Sequence, residues 1–179
     1  TDRYLGQLQE PLLIRGYFSA KTHPLLSPLV PRLRDLLAEY AALGRGRVRV
    51  EFVDPHADQA IEEEAARKYG IRPIPFQMAS RHESGVVNSY FHIVLTYGDQ
   101  NETLDFQDLI EVKSSSSGDL DIVLKDPEYA ITSTVKKVLA SFRAGGSPFD
   151  TLTGKVSFRG YISAPDKLPP ELLELRGDL

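Results

Sequence analysis

The sequence predicts an α/β fold: a mixed sheet built in the order β-α-β-α-β-β-α, with helices on both faces. Three observations carry this. A short continuous apolar run, Leu12–Phe18, gives way to helical spacing at Leu29, Leu33, Leu36, Tyr40 and Leu43, the mark of a strand–turn–helix unit. A second such unit follows, with β-branched residues at 48–53 and then a charged helix ending at Gly70. Two more strand-like runs, at 90–97 and 102–106, flank a Gly98-Asp99-Gln100-Asn101 turn and are followed by a helix opening at Asp126-Pro127-Glu128. Parallel strands joined by right-handed crossovers, then an antiparallel hairpin and a packing helix, make such a sheet.

Residues 1–10 read as a polar lead-in closed by Pro11. In the first helix Ser27 is the expected cap, and Pro28 and Pro31 fall where a missing N–H costs little. Gly44 and Gly46 stop that helix, with Arg45 and Arg47 near its negative end. The stretch 48–53 reads as a well-covered strand, and Asp58 as the cap of the next helix. Glu62, Glu63 and Glu64 open that helix and Arg67 and Lys68 close it, as the macrodipole favours. Its buried stripe is Ile61, Ala65 and Tyr69. Two X-Pro steps then hold residues 71–77 extended. Residues 81–89 read as a polar loop or insertion, 114–118 as a serine-rich linker, and 120–124 as a short extended piece. Ile131, Val135, Val138 and Phe142 give the last helix one apolar face, up to Gly145-Gly146.

The 179-residue chain has a net charge of -4 with acidic and basic residues interspersed. There is no basic stripe, so nucleic acid is not an expected partner. No apolar run reaches the roughly 20 residues a membrane-spanning helix needs. Cysteine is absent, which excludes disulfides and thiolate chemistry within this chain. The chain lacks an initiator Met and is expected to be an excerpt of a longer protein. Arg15-Gly16-Tyr17-Phe18-Ser19-Ala20 returns as Arg159-Gly160-Tyr161-Ile162-Ser163-Ala164. One domain over residues 1–146 is therefore expected, with 147–179 as linker and first strand of a truncated second module, or else an extra strand of the first domain. On the first reading the parent continues past Leu179 and carries a membrane span.

Two residue clusters invite a chemical reading. Ser19 with His23 pairs a nucleophile type with a base type, without a G-x-S-x-G elbow around it. Asp54, His56 and Asp58 put two carboxylates and an imidazole within five residues, a donor set a metal can use. Ordinary turn and cap chemistry already accounts for both carboxylates and is the favoured reading. A small hydrolase or metal-dependent enzyme using these groups is the alternative function. His92 reads as a packing residue of its strand, and the absence of a Walker A sequence places any ATP hydrolysis on another subunit.

The element order, with Tyr69-Gly70-Ile71-Arg72-Pro73-Ile74-Pro75 leading into the third strand, resembles the thioredoxin fold. That resemblance implies a cis Ile74–Pro75 bond and places residues 19–24 where the two-cysteine turn would be. Without cysteine, the redox chemistry of that fold does not carry over. Segments 14–19, 33–40, 48–55, 63–73 and 128–137 together resemble the extracytoplasmic domain of the gliding-motility auxiliary (GldG-type) family of ABC transporter components. The resemblance implies a non-enzymatic domain without cofactor or metal, on the periplasmic face of the bacterial cytoplasmic membrane and anchored through segments outside this chain. It implies permease and ATPase subunits of the same system as partners, with an envelope polymer or transported substrate as further ligands. The expected binding surface lies where 18–24 meets 74–76: Phe18, Ser19, Lys21 and His23 facing Ile74, Pro75 and Phe76, beyond the carboxyl ends of parallel strands.

Overall fold

A computed structural model describes residues 1–79, 84–114 and 120–143. The expected order is present, with two hairpin ribbons added. After a short helix α1 (Asp2–Leu5) come β1 (Leu12–Phe18), α2 (Leu29–Leu43), β2 (Val48–Val53), a 3₁₀ turn (Pro55–Ala57) and α3 (Gln59–Tyr69). Next are β3 (Ile74–Ala79), β4 (Ser84–Ser89), β5 (Phe91–Tyr97), β6 (Gln100–Leu104), α4 (Phe106–Leu109), β7 (Ile110–Ser114), β8 (Leu120–Leu124) and α5 (Pro127–Arg143). The four-stranded sheet runs β2-β1-β5-β6, with β1 parallel to β2 and antiparallel to β5. β3–β4 and β7–β8 are separate antiparallel ribbons.

The period-two alternation of β1 sorts the core into two layers. Leu12, Ile14 and Phe18 face Leu29, Leu33, Leu37 and Tyr40 of α2 and Ile131, Val135, Val138 and Leu139 of α5. Tyr17 points the other way and packs with Val94, Tyr90, Ile71 and Ala65 of α3, with Ile61 and Tyr69 beside them. Helices thus cover both faces. The Tyr40 hydroxyl locks α2 to α5 by donating to the Glu128 carbonyl at 3.0 Å and bonding Thr132 Oγ1 at 2.7 Å.

Local signals set the helix ends. Asp58 Oδ1 accepts the Ala60 N–H at 2.8 Å, and Gly70 closes α3 in the left-handed region at φ 69°, where a Cβ would be strained. Asp126 Oδ1 accepts the Tyr129 N–H at 3.1 Å at the start of α5. Gly98 opens the two-residue β5–β6 turn at φ +59°, packed against the Phe142 ring.

Several expectations are corrected. Ser27 does not cap α2: Pro28 holds that position without a side-chain cap bond, because the preceding turn already donates Leu29 N–H to the Leu26 carbonyl. Leu37 rather than Leu43 completes the α2 core, and Leu43 is exposed. β2 is an edge strand and only partly covered. The lead-in is not wholly polar, since Leu5 and Leu8 are buried and the Tyr97 hydroxyl accepts the Gln9 and Glu10 N–H groups at 2.8 and 3.0 Å. The strand expected at 102–106 is shifted: Asp105 makes a capping box and Phe106 starts α4. Residues 84–89, expected in a loop, form β4.

The Ile74–Pro75 bond is trans. The resemblance implies a cis step into a strand of the central sheet. Here Pro75 instead enters an added ribbon, where it lies opposite Asn88. Ser114, expected to open the serine linker, ends β7 instead. The rest of that linker, 115–118, the second copy of the internal repeat, the expected module at 147–179 and Gly145-Gly146 lie outside the described residues.

Candidate functional site

Because β1 and β2 run parallel, both release the chain at the same end of the sheet, at Ser19 and Asp54. The chain between β4 and β5 passes the same place at Tyr90, opposite Ser19. Three segments distant in sequence therefore converge. Ser19 is 5% exposed, and its Oγ accepts the Tyr90 N–H at 2.7 Å and lies 3.2 Å from His56 Nδ1. Asp54 spends both carboxylate oxygens on backbone: Oδ1 accepts the His56 N–H at 3.0 Å and Oδ2 the Ala20 N–H at 2.8 Å. The His56 ring meets Tyr90 edge-on at 4.9 Å, and the buried Tyr90 hydroxyl donates to Glu62 Oε1 at 2.7 Å. Burial, then the neighbouring Glu62 carboxylate, raises the Tyr90 pKa far above the usual tyrosine range, so the phenol stays a donor.

These contacts regroup the candidates. Ser19 pairs with His56, not His23. His23 Nδ1 instead accepts the Leu25 N–H at 3.2 Å, and its ring lies 6.1 Å from that of Phe76. Asp58 is occupied as the α3 cap, its Oδ1 accepting the Ala60 N–H. Among the described residues, no group of three or more His, Asp or Glu side chains is placed to hold a metal ion. A serine nucleophile needs an accessible Oγ and a base oriented through its other ring nitrogen. Here Ser19 is buried, and the Asp54 carboxylate, 3.9 Å away, lies on the same Nδ1 that faces the serine. The cluster acts as a strut joining the ends of β1 and β2 to the start of β5.

Beside it lies a cleft of about 540 Å³, lined by Ala20, Lys21, Asp54, His56 and Ala57 on one wall and Val86, Val87 and Asn88 on the other. A second depression of about 390 Å³ shares Ala20 and Asp54 and runs past Thr22, Ser27 and Arg34. Of the expected binding residues, only Lys21 lines the larger cleft. Phe18 is 4% exposed and packs in the core, and the Ser19 hydroxyl is turned inward, while both residues also line the smaller depression. Phe76 packs at 5.2 Å on Phe106. Ile74 is half-buried and Pro75 exposed, neither on the cleft walls. The two stretches do meet, through His23 and Phe76, but β4 supplies the open wall. The signal for β4 was the Val86-Val87 pair running into Tyr90-Phe91, hidden among polar neighbours.

A family model described as "domain of unknown function (DUF7088)" matches residues 1–96. The chain belongs to the DUF7088 family. The match runs from the lead-in through almost all of β5, so every residue lining the larger cleft lies in the DUF7088 region. No curated protein and no solved structure matches the chain.

His92, in β5 of the DUF7088 region, is buried, and its Nδ1 accepts the Phe91 N–H at 3.2 Å. Burial lowers its pKa from the ordinary 6.5, opposed by the Asp105 carboxylate. The unfolded chain therefore takes up a proton first as pH falls below about 6.5, and stability drops through that window until the folded form also protonates. Urea unfolding from pH 7.5 downward should show this loss, and His92→Gln should reduce it. An unchanged pH dependence in the variant refutes the assignment.

Proposed function

We propose that this domain is a non-enzymatic binding module of a bacterial ABC-type transport system, an auxiliary component of the gliding-motility kind exposed outside the cytoplasmic membrane. The GldG-type resemblance over residues 11–143 motivates the setting, and the thioredoxin-like assignment of the fold is part of the same reading. The observation that carries the binding role is the cleft between the ends of β1 and β2 and the open β4 wall, whose exposed Val86 and Lys21 have no core function. The convergence of Ser19, His56 and Asp54 is the one observation favouring a hydrolase. The inward Ser19 hydroxyl and the shared Nδ1 count against that alternative.

The chain has no cysteine, so a single Lys21→Cys change places one thiol of this domain on the cleft rim. In intact cells producing the parent protein, a membrane-impermeant maleimide is expected to label it. A thiol-linked photo-crosslinker there is expected to capture the permease subunit or the transported substrate. Labelling only after lysis overturns the location. Capture of neither permease nor substrate overturns the role.

A further inference from the structure

Among the described residues, β4 has a partner strand on one side only, β3. The Tyr90 N–H goes to Ser19 Oγ and the Tyr90 carbonyl accepts the Ser19 N–H at 3.2 Å, so Tyr90 turns its backbone groups toward β1. Alternation along a strand turns those of Asn88 and Val86 the same way, and those of Ser89 and Val87 toward β3. Pro75, opposite Asn88, agrees with this register, because it has no N–H to give to a ladder bond there. β1 would have continued alongside β4, but the chain leaves the sheet at Ser19. Among the described residues, β4 pairs with β3 only, and the cleft opens beside Val86 and Asn88. Val86 is 62% exposed there. On the facing wall Lys21 has no ion-pair partner among the described residues, while both oxygens of Asp54 are bonded.

We infer that the free edge of β4 accepts an extended segment of a partner protein, which adds as a strand in the place β1 vacates. Backbone groups of the guest pair with those of Val86 and Asn88, an apolar side chain lies on Val86, and an acidic one meets Lys21. This rests on the binding-module reading and names the kind of partner it requires.

The test pans a phage-displayed library of random heptapeptides against the full chain. Selected peptides are expected to alternate apolar with acidic residues. On adding a selected synthetic peptide, hydrogen exchange at the Val86 and Asn88 amides should slow about tenfold or more, with Val87, already paired, unchanged. Val86→Pro removes one outward N–H at an edge position that tolerates proline, and Lys21→Glu reverses the facing charge. Each should weaken binding at least about tenfold. Should Val86→Pro fail to fold, the exchange pattern of the unaltered chain decides. Equal affinity for Val86→Pro, protection elsewhere, or a library yielding no binder overturns the inference. So does a concentration-dependent dimer protecting the same two amides, which would assign the edge to a second copy. If no peptide binds while the Lys21→Cys crosslink still captures the permease or substrate, the edge inference fails and the binding-module reading stands.

Discussion

Replacing Phe91 by Ala should destabilise the domain by about 3–5 kcal/mol. Phe91 is fully buried and meets Phe18 edge-on at 5.3 Å and Phe106 at 6.3 Å. Phe106 in turn packs on Phe76 of β3 at 5.2 Å. This aromatic row is what seats the β3–β4 ribbon on the main sheet, so the cavity left by Phe91 loosens the cleft wall as well as the core. Urea unfolding should show a lower midpoint with the slope little changed. A loss below about 1 kcal/mol, outside the range for such truncations, would mean that the row does not bear on stability. Hydrogen exchange should also quicken at Phe76 and Val87, which lie opposite each other in the ribbon.

Ser19→Ala should cost about 1–3 kcal/mol, the penalty for leaving a buried donor without an acceptor. The stranded donor is the Tyr90 N–H, and His56 loses the group facing its Nδ1. The amide of Tyr90 should exchange faster in the variant, and the spread of the effect should follow the strut: Tyr90 first, then the turn holding His56. A variant as stable as the parent chain, with Tyr90 still protected, would show that Ser19 is not a strut and would reopen its reading as a reactive hydroxyl.

Some features of this domain were readable because they are enforced within a few residues. Asp58 and Asp126 cap helices because a short carboxylate reaches the N–H groups just ahead of it. Gly70 ends α3 because only glycine adopts that backbone freely. The apolar spacing of α2 and α5 and the short runs of β1 and β5 declare buried faces whichever neighbours cover them. Leu37 replaced Leu43 because the apolar stripe of a helix is read by spacing, while the point at which the core stops covering it is not. β4 was missed for a related reason. Its edge position leaves polar residues on most of its surface, so the alternation that marks a half-buried strand is weak.

The sequence by itself determined the order of the four main-sheet strands and the three long helices, most helix ends and the mixed α/β class, since hydrophobic period and capping chemistry act locally. The tertiary structure alone decided the site. Parallel pairing of β1 with β2 brings Ser19 to His56, and the antiparallel return of β5 brings Tyr90 to both. The inward turn of Phe18 depends on the same contacts. So does the open edge at Val86 and Asn88, since a strand's free side is defined by which neighbour is missing. No residue carries that information alone, because it arises from register between segments roughly 35 and 70 positions apart.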